Sequence, residues 1–375
     1  MFSDTYTPQI NGVVTSINTF MSELRAKGHE VYIFGPQLKG VTEKDFEFRF
    51  QSAPYLFHSE HRVVYPYSRK LRQFKDLEID VIHSHTPFSM GWLALRLAKK
   101  HNIPLVHTYH TLFTEYVHYV PIVGKGVMQW VAKRIGRDYC NSCQWVLAPS
   151  EAIKKELRSY GVKTEISVIP TGIDVTMKEK GDAERARVRF GLPPEEKLLL
   201  YAGRLGQEKN IDFLLRAFKK VLQKDPKVNF AIAGDGPFRK NLEWLAKLLH
   251  IRKKIVFCGY LGREDLAGVY KAADLFVFAS VTETQGLVVA EAMDIGTPVV
   301  AVNAMGVADV ISGDRGGLAS SLDTNEFAEK ILRLLEDKEL YQQKAKDAVK
   351  VGEDMRSEHM VQKLLAGYTK ILNKK

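Results

Sequence analysis

Cysteine is scarce: Cys140, Cys143 and Cys258 are the only three in 375 residues, which excludes a disulfide scaffold. Cys140-Asn-Ser-Cys143 has CxxC spacing. Zinc takes about four ligands and no second pair exists; a thioredoxin-type redox pair is the alternative to two incidental buried thiols, which are the expectation and fit a reducing cytoplasm. No window approaches the ~18–20 apolar residues of a membrane span, and no signal-peptide pattern is evident. Contact with a membrane would therefore be at its surface. There is no GxSxG elbow, no Walker A run and no acidic DxD pair that could hold a divalent ion. Low-complexity segments and short repeats are also missing.

What remains is ordinary globular composition, with 45% AVILMFWYC and 26% charged residues, which excludes a disordered or fibrous chain. At roughly 150 residues per domain the length implies two domains. The net charge is +10, and the excess implies an anionic partner: nucleic acid, a phosphorylated small molecule or an acidic membrane. Residues 1–170 carry +6 and nine of the eleven histidines, and the remainder carries +4.

Short apolar runs alternate with helical patterns. Val31–Phe34, Val81–His83, Pro104–His107, Trp145–Ala148 and Ile166–Ile169 read as buried strands, with helices at Val14–Lys27 and Ser89–His101. The second half repeats the habit, with strands at Leu198–Tyr201, Val228–Ala233, Ile255–Phe257, Leu275–Phe278 and Pro298–Ala301. Its helices are Asn210–Gln223, Pro237–His250, Arg263–Ala272 and Gly286–Ile295. Such alternation predicts parallel sheets covered on both faces. Occurring twice, it predicts an α/β protein of two doubly wound domains, joined near Ile169-Pro-Thr-Gly-Ile-Asp174. Ligands of such sheets bind beyond the carboxyl ends of the strands, so an interdomain cleft is expected. Only Met1-Phe2-Ser3 precedes a loop at Asp4, short of the ~5–6 residues of a typical strand. This predicts a truncated start or an unusual sheet edge.

In the run Phe278–Met293 a strand ends, a loop holds Glu283, and Gly286 opens a helix carrying Glu291. Free N–H groups at that helix start favour an anion such as a diphosphate. A capped helix with two solvated carboxylates is the alternative. At Tyr201–Asn210, Gly203 ends a strand and is followed by Arg204 and Lys209, which together could hold two phosphates. A solvated basic loop fits equally well. Gly234-Asp-Gly236 is a tight turn or a ligand loop. Gly12, after Asn11, is a helix-start turn or a place where backbone approaches a ligand. His83, His85, His107 and His110 close two strands. Without a carboxylate at proper spacing, a metal site is not expected. His110 is placed to touch a substrate, and the other three read as core histidines.

Taken together, these motifs resemble glycosyltransferase family 4, retaining sugar-nucleotide enzymes with two facing Rossmann-like domains (the GT-B fold). The residues are Gly12, His110, Pro170-Thr-Gly-Ile-Asp174, Gly203-Arg-Leu with Glu208-Lys-Asn210, Gly234-Asp-Gly236, and Glu283 with Glu291. The resemblance covers essentially the whole chain. It implies an acceptor-side domain at 1–170, a nucleotide-sugar domain at 171–355 and a helix at 356–375 returning to the first. It implies that Arg204 and Lys209 hold the donor diphosphate, that Glu291 binds the ribose and that Glu283 meets sugar hydroxyls. Gln285, Gly286 and Leu287 would meet the donor and its phosphate. His110 would lie near the reacting centre, Gly12 would let the first loop close, and Gly203, Gly234, Gly236 and Tyr260 would complete the donor site. No cofactor or metal is implied, UDP-glucose being a substrate.

Two departures stand out. Asn11-Gly12 replaces the Gly-Gly pair of many members, and Glu283-Thr-Gln-Gly286 replaces Glu-Gly-Phe-Gly. The latter, with Phe2–Val13 and His107-Thr-Tyr-His-Thr111, looks more like bacterial enzymes that glucosylate diacylglycerol. A lipid acceptor suits Tyr65–Lys75, where Arg69, Lys70, Arg72 and Lys75 lie among aromatics. It also suits Leu112–Arg137, where Phe113, Tyr116, Tyr119, Val120, Ile122, Val123, Met128 and Trp130 accompany Lys125, Lys133, Arg134 and Arg137. The alternative is that Val127, Trp130, Val131 and Ile135 face the core. The expectation is a peripheral enzyme on the cytoplasmic, inner face of the membrane, binding an anionic surface and no nucleic acid. Other acceptors (phosphatidylinositol, a polyisoprenoid, a soluble sugar) or a sugar-nucleotide epimerase remain open.

Overall fold

The computed structural model describes residues 1–9, 11–55, 58–110, 125–174 and 176–374. It forms two compact units, Met1–Gly172 with Ser357–Lys375, and Ile173–Arg356.

The first unit runs α1 (Gly12–Ala26), β1 (Ile33–Pro36), β2 (Glu47–Phe50), β3 (Ser52–Tyr55), β4 (His58–Val64), β5 (Ile82–Ser84), α2 (Ser89–His101), β6 (Leu105–Thr108), α3 (Lys125–Asn141), β7 (Trp145–Ala148), α4 (Glu151–Ser159) and β8 (Ile166–Val168). Strands β5-β6-β7-β8 pair in parallel, as do β1 and β2. Strands β3 and β4 form an antiparallel hairpin.

Phe2 corrects the expectation of an unusual sheet edge. It bridges both Phe34 of β1 and Ser84 of β5, so the opening segment lies inside the sheet. Phe2 N–H donates to His83 O at 2.8 Å, and His85 N–H donates to Phe2 O at 2.8 Å. The Phe2 ring stacks on Phe34 at 4.4 Å, and Phe34 on Phe48 at 4.7 Å. The chain then turns at Asp4, whose backbone N–H and carboxylate both bond to Thr86 Oγ1.

Helix α1 begins where Asn11 Oδ1 accepts from Val14 N–H. It buries Val14, Ile17, Phe20 and Leu24, an apolar stripe at helical spacing. The C-terminal helix, Ser357–Leu372, packs into this unit. Its Met360, Val361 and Leu364 join Phe20, Leu24, Trp145 and Leu147 in one apolar cluster. Ser357 Oγ donates to Glu23 at 2.6 Å.

The second unit contains α5 (Thr176–Lys180), α6 (Ala183–Arg189), β9 (Lys197–Ala202), α7 (Ile211–Lys224), β10 (Val228–Ala233), α8 (Arg239–Leu248), β11 (Ile255–Gly259), α9 (Arg263–Ala272), β12 (Leu275–Phe278), α10 (Leu287–Ile295), β13 (Val299–Val302), α11 (Met305–Val310), β14 (Gly317–Ser320), α12 (Thr324–Glu336) and α13 (Lys338–Asp354). Its strands form one parallel sheet in the order β11-β10-β9-β12-β13-β14. Every residue of β10 and β12 is buried, because helices cover both faces. Helix α7 shows how: Ile211, Leu214, Leu215, Phe218 and Val221 turn inward.

Candidate active site

In the second unit the chain leaves β9 for β10 on one side and returns with β12 on the other. The strand order therefore reverses between β9 and β12, and the carboxyl ends of these strands are where an open α/β sheet receives a ligand. Arg204 and Lys209 follow β9, and Glu283–Gly286 follows β12.

The two loops are fastened together. Lys209 Nζ pairs with Glu283. Asn210, in the left-handed region at φ 51°, donates from Nδ2 to Ala279 O at 3.1 Å, and Ser280 Oγ donates to Glu208 O at 3.3 Å. Arg204 Nη2 meets Glu208 Oε1 at 2.9 Å. Burial works to raise the Glu208 carboxyl, but its own backbone N–H and the Arg204 guanidinium outweigh this and hold it below its ordinary value. Thus both cations expected to meet a diphosphate are partly buried and held by carboxylates that sequence spacing left unpaired.

The glycines have a physical reason. A Cβ on Gly234 would lie 1.9 Å from Gly203 O, and one on Gly236 would lie 2.6 Å from Leu205 O. Leu205 N–H donates to Asp235 O at 3.0 Å. The loops after β9 and β10 therefore touch backbone to backbone. Gly286 caps α10 at φ 77°, a conformation suited to glycine. Its carbonyl accepts from Val289 N–H at 3.0 Å and Ala290 N–H at 3.2 Å, and the Gln285 side chain beside it is buried. Tyr260 is 64% exposed beyond β11.

Glu291 lies in the second turn of α10. Tyr270 Oη donates to Glu291 Oε2 at 3.1 Å and approaches Val288 O at 3.2 Å. Burial pushes the Glu291 carboxyl up to about 7, against the Tyr270 hydrogen bond and the Arg263 charge, with Asp174 adding to the rise. A carboxyl poised near neutrality beside a phenol can accept from vicinal hydroxyls once ionised.

In the first unit Gly12 is exposed, and a Cβ there would meet nothing within 4 Å. The fold itself does not require glycine at this position. Asp4, which sequence reading missed, is buried. Its carboxylate accepts from Thr86 Oγ1 at 2.6 Å, from Ser89 Oγ, and from Met90 N–H at 3.2 Å at the start of α2. Burial raises the Asp4 carboxyl above its usual value despite these bonds. Its partners lie more than 80 residues away, so no local pattern could reveal it. Arg49, also missed, pairs with buried Glu47 at 2.8 Å and donates to Thr7 O at 2.8 Å, bracing the same loop.

The four histidines gather. His83 stacks on His85 at 4.3 Å, and His85 Nδ1 lies 2.9 Å from His110 Nε2. His83 meets Thr108 Oγ1 at 2.7 Å and Tyr368 Oη at 2.6 Å. His107 Nδ1 contacts Ser84 O at 3.0 Å. Burial pushes all four imidazoles down, His107 and His110 to about 3, so each is neutral near pH 7. Among the described residues no three His, Cys, Asp or Glu side chains converge as metal ligands. Burial also raises the Cys140 thiol to about 12 and lifts Cys143.

The basic segments lie on the surface. Arg69–Leu77 is a 3-10 helix that buries only Phe74, leaving Arg69, Arg72 and Lys75 exposed and Lys70 paired with Glu43. On α3, Val127, Trp130 and Ile135 are exposed, Trp130 at 58%, which corrects the reading that these three face the core. Arg134 lies over the Trp130 ring at 5.3 Å, and Lys133 over Tyr160 at 5.0 Å. Arg137 pairs with Asp138 at 2.8 Å. Phe113, Tyr116, Tyr119, Val120, Ile122 and Val123 lie outside the described residues. Among the described residues no helix is long and apolar enough to cross a membrane.

The Glycosyltransferase Family 4 model matches residues 10–177, and the Glycosyl transferases group 1 model matches residues 182–351. An alpha-monoglucosyldiacylglycerol synthase of Streptococcus pneumoniae is 38% identical over 309 residues, 80% of this chain and 70% of that protein. A protein of the same name from Acholeplasma laidlawii is 31% identical, covering 80% and 79%. A solved sucrose-phosphate synthase from Thermosynechococcus elongatus superposes with a TM-score of 0.80 at 22% identity, covering 100% of this chain and 96% of that one.

Proposed function

The chain belongs to glycosyltransferase family 4, and from that premise we propose that it moves glucose from UDP-glucose to diacylglycerol on an anionic membrane surface. It is a hexosyltransferase, and the Streptococcus and Acholeplasma relatives are named for making alpha-monoglucosyldiacylglycerol. One observation carries the donor half of the reading: the loops that flank the reversal of strand order hold Arg204 and Lys209 in place through Glu208 and Glu283.

In this reading Arg204, Lys209 and the amino end of α10 neutralise the diphosphate as its bond to the sugar breaks. Charge held in place before the reaction needs no reorganisation when charge develops. The departing diphosphate oxygen takes the acceptor proton on the face where the new bond forms, so the anomeric configuration is retained. Glu291 accepts from the ribose hydroxyls and Glu283 from the sugar. Gln285, Gly286 and Leu287 meet the donor phosphate, and His110 meets the transferred sugar. Gly203, Gly234 and Gly236 shape the loops, Tyr260 flanks the base, and Gly12 lets the first loop approach the acceptor. Tyr65–Lys75 and the exposed face of α3, with Lys133 and Arg134, supply the surface for lipid headgroups at the inner face of the membrane.

The test is a donor-by-acceptor assay with radiolabelled UDP-glucose and GDP-mannose, each offered diacylglycerol vesicles or soluble sugars. Label from UDP-glucose is expected in the organic phase. Label confined to water-soluble product would overturn the lipid reading. Arg204→Ala should weaken UDP binding in calorimetry by about 10-fold or more, the worth of one charge-assisted hydrogen bond. Unchanged affinity would remove Arg204 from the donor site.

A further inference from the structure

The histidine row has one feature that donor binding does not explain. His85 is 2% exposed, yet its Nε2 has no hydrogen-bond partner among the described residues. Its Nδ1 lies 2.9 Å from His110 Nε2, with the rings stacked at 5.2 Å and 18° apart. Burial keeps both rings neutral, so each carries one proton and only one proton bridges them.

There are two ways to place it. If His110 Nε2–H donated to His85 Nδ1, the proton of His85 would sit on the buried, unpartnered Nε2. Orphaned buried N–H groups are rare and costly, and an unpaired acceptor is better tolerated. If His85 Nδ1–H donates instead, only a lone pair is orphaned. His83 also stacks on His85 and is itself tied to Thr108 and Tyr368, which restrains the ring.

We propose that His85 is a positioning residue that donates from Nδ1 to His110 Nε2 and thereby fixes His110 as the Nδ1–H tautomer. His110 then holds no lone pair with which to act as a base. This rests on the reading that His110 meets the transferred sugar. It fits a reaction whose acceptor proton leaves with the diphosphate, because a ring whose Nε2 already accepts and whose Nδ1 is protonated has no lone pair to take it.

The test uses the full-length protein labelled with 15N-histidine, as wild type, His85→Phe and His85→Asn. Long-range 1H–15N spectra should show wild-type His110 protonated at Nδ1. His85→Phe keeps a ring in the stack but loses the donor. It should give mixed His110 tautomers and a kcat lowered about 10-fold, with donor KM within about 2-fold, the scale of one lost hydrogen bond. His85→Asn places an amide donor where Nδ1 was and should recover most of the loss. Wild-type His110 protonated at Nε2, or equal losses in the two variants, would overturn the proposal. A His110→Ala enzyme with full activity would remove the role of His110 itself. The spectra report the tautomer independently of activity, so the two failures are told apart.

Discussion

At the scale of single residues, Glu291 gives the sharpest expectation. Its carboxyl is raised from 4.5 to about 7 by burial, so the neutral form is favoured on folding. Its contribution to stability is complete below about pH 4.5 and is lost as pH rises through about 7. Glu291→Gln keeps the neutral shape. Denaturant melts should show the variant gaining on wild type between pH 5 and pH 8, by at most about 3 kcal/mol. Donor affinity should move the other way, since only the carboxylate accepts from a diol without also donating. Calorimetric UDP titrations at both pH values would check this. The role of Glu291 is suggested by the family resemblance, with seven residues between it and Glu283, but its state is not. The Tyr270 phenol, the burial and the Asp174 and Arg263 charges come from other elements.

At the scale of elements, glycines separate into two kinds. A Cβ at Gly234 would meet the Gly203 carbonyl at 1.9 Å, at a backbone φ of 131°. Gly234→Ala should therefore cost several kcal/mol, on the order of 2–4 for enforced strain, and lower the melting temperature. Gly12→Ala adds a methyl into open space on the first turn of α1, where alanine is the better helix former. Its melting temperature should be unchanged or higher, and a lowered kcat would mark the space as one a substrate needs. Sequence alone leaves each of them as either a turn or a ligand loop. The helices and central strands were more legible: Trp145–Ala148, Leu275–Phe278, Ser89–His101 and Arg263–Ala272 begin and end where the periodicity predicts. Strands covered on both faces must be apolar throughout, and that leaves a plain signal. Strand β2 leaves none, because Glu47 and Arg49 are buried as a pair and look like surface residues in sequence.

At the scale of the whole molecule, the last helix belongs to the first unit's core. A Cβ on Gly367 would lie 1.9 Å from the Trp145 ring. Gly367→Val should lower the unfolding transition of the first unit in scanning calorimetry and leave that of the second, which has its own apolar core, nearly in place. The excess positive charge has a second consequence. Basic residues near an anionic surface are worth about 1 kcal/mol each, so neutralising Arg69, Arg72 and Lys75 together should weaken partition onto anionic vesicles about 100-fold at low salt. Flotation assays would read it. Equal binding to neutral and anionic vesicles would place the charge elsewhere.

Legible in the sequence alone are the α/β alternation, its duplication, the family and the residue types of the candidate donor site. Those properties are written in local periodicity and in short motifs whose spacing survives any folding detail. Long-range packing put Phe2 inside a sheet, set Asp4 at the start of a helix more than 80 residues away, and turned Trp130 outward. It also decided that Lys209 is paired with Glu283 and His85 with His110. These are contacts between distant segments. Burial and partnership, which set charge state and proton position, exist only once the chain has brought those segments together.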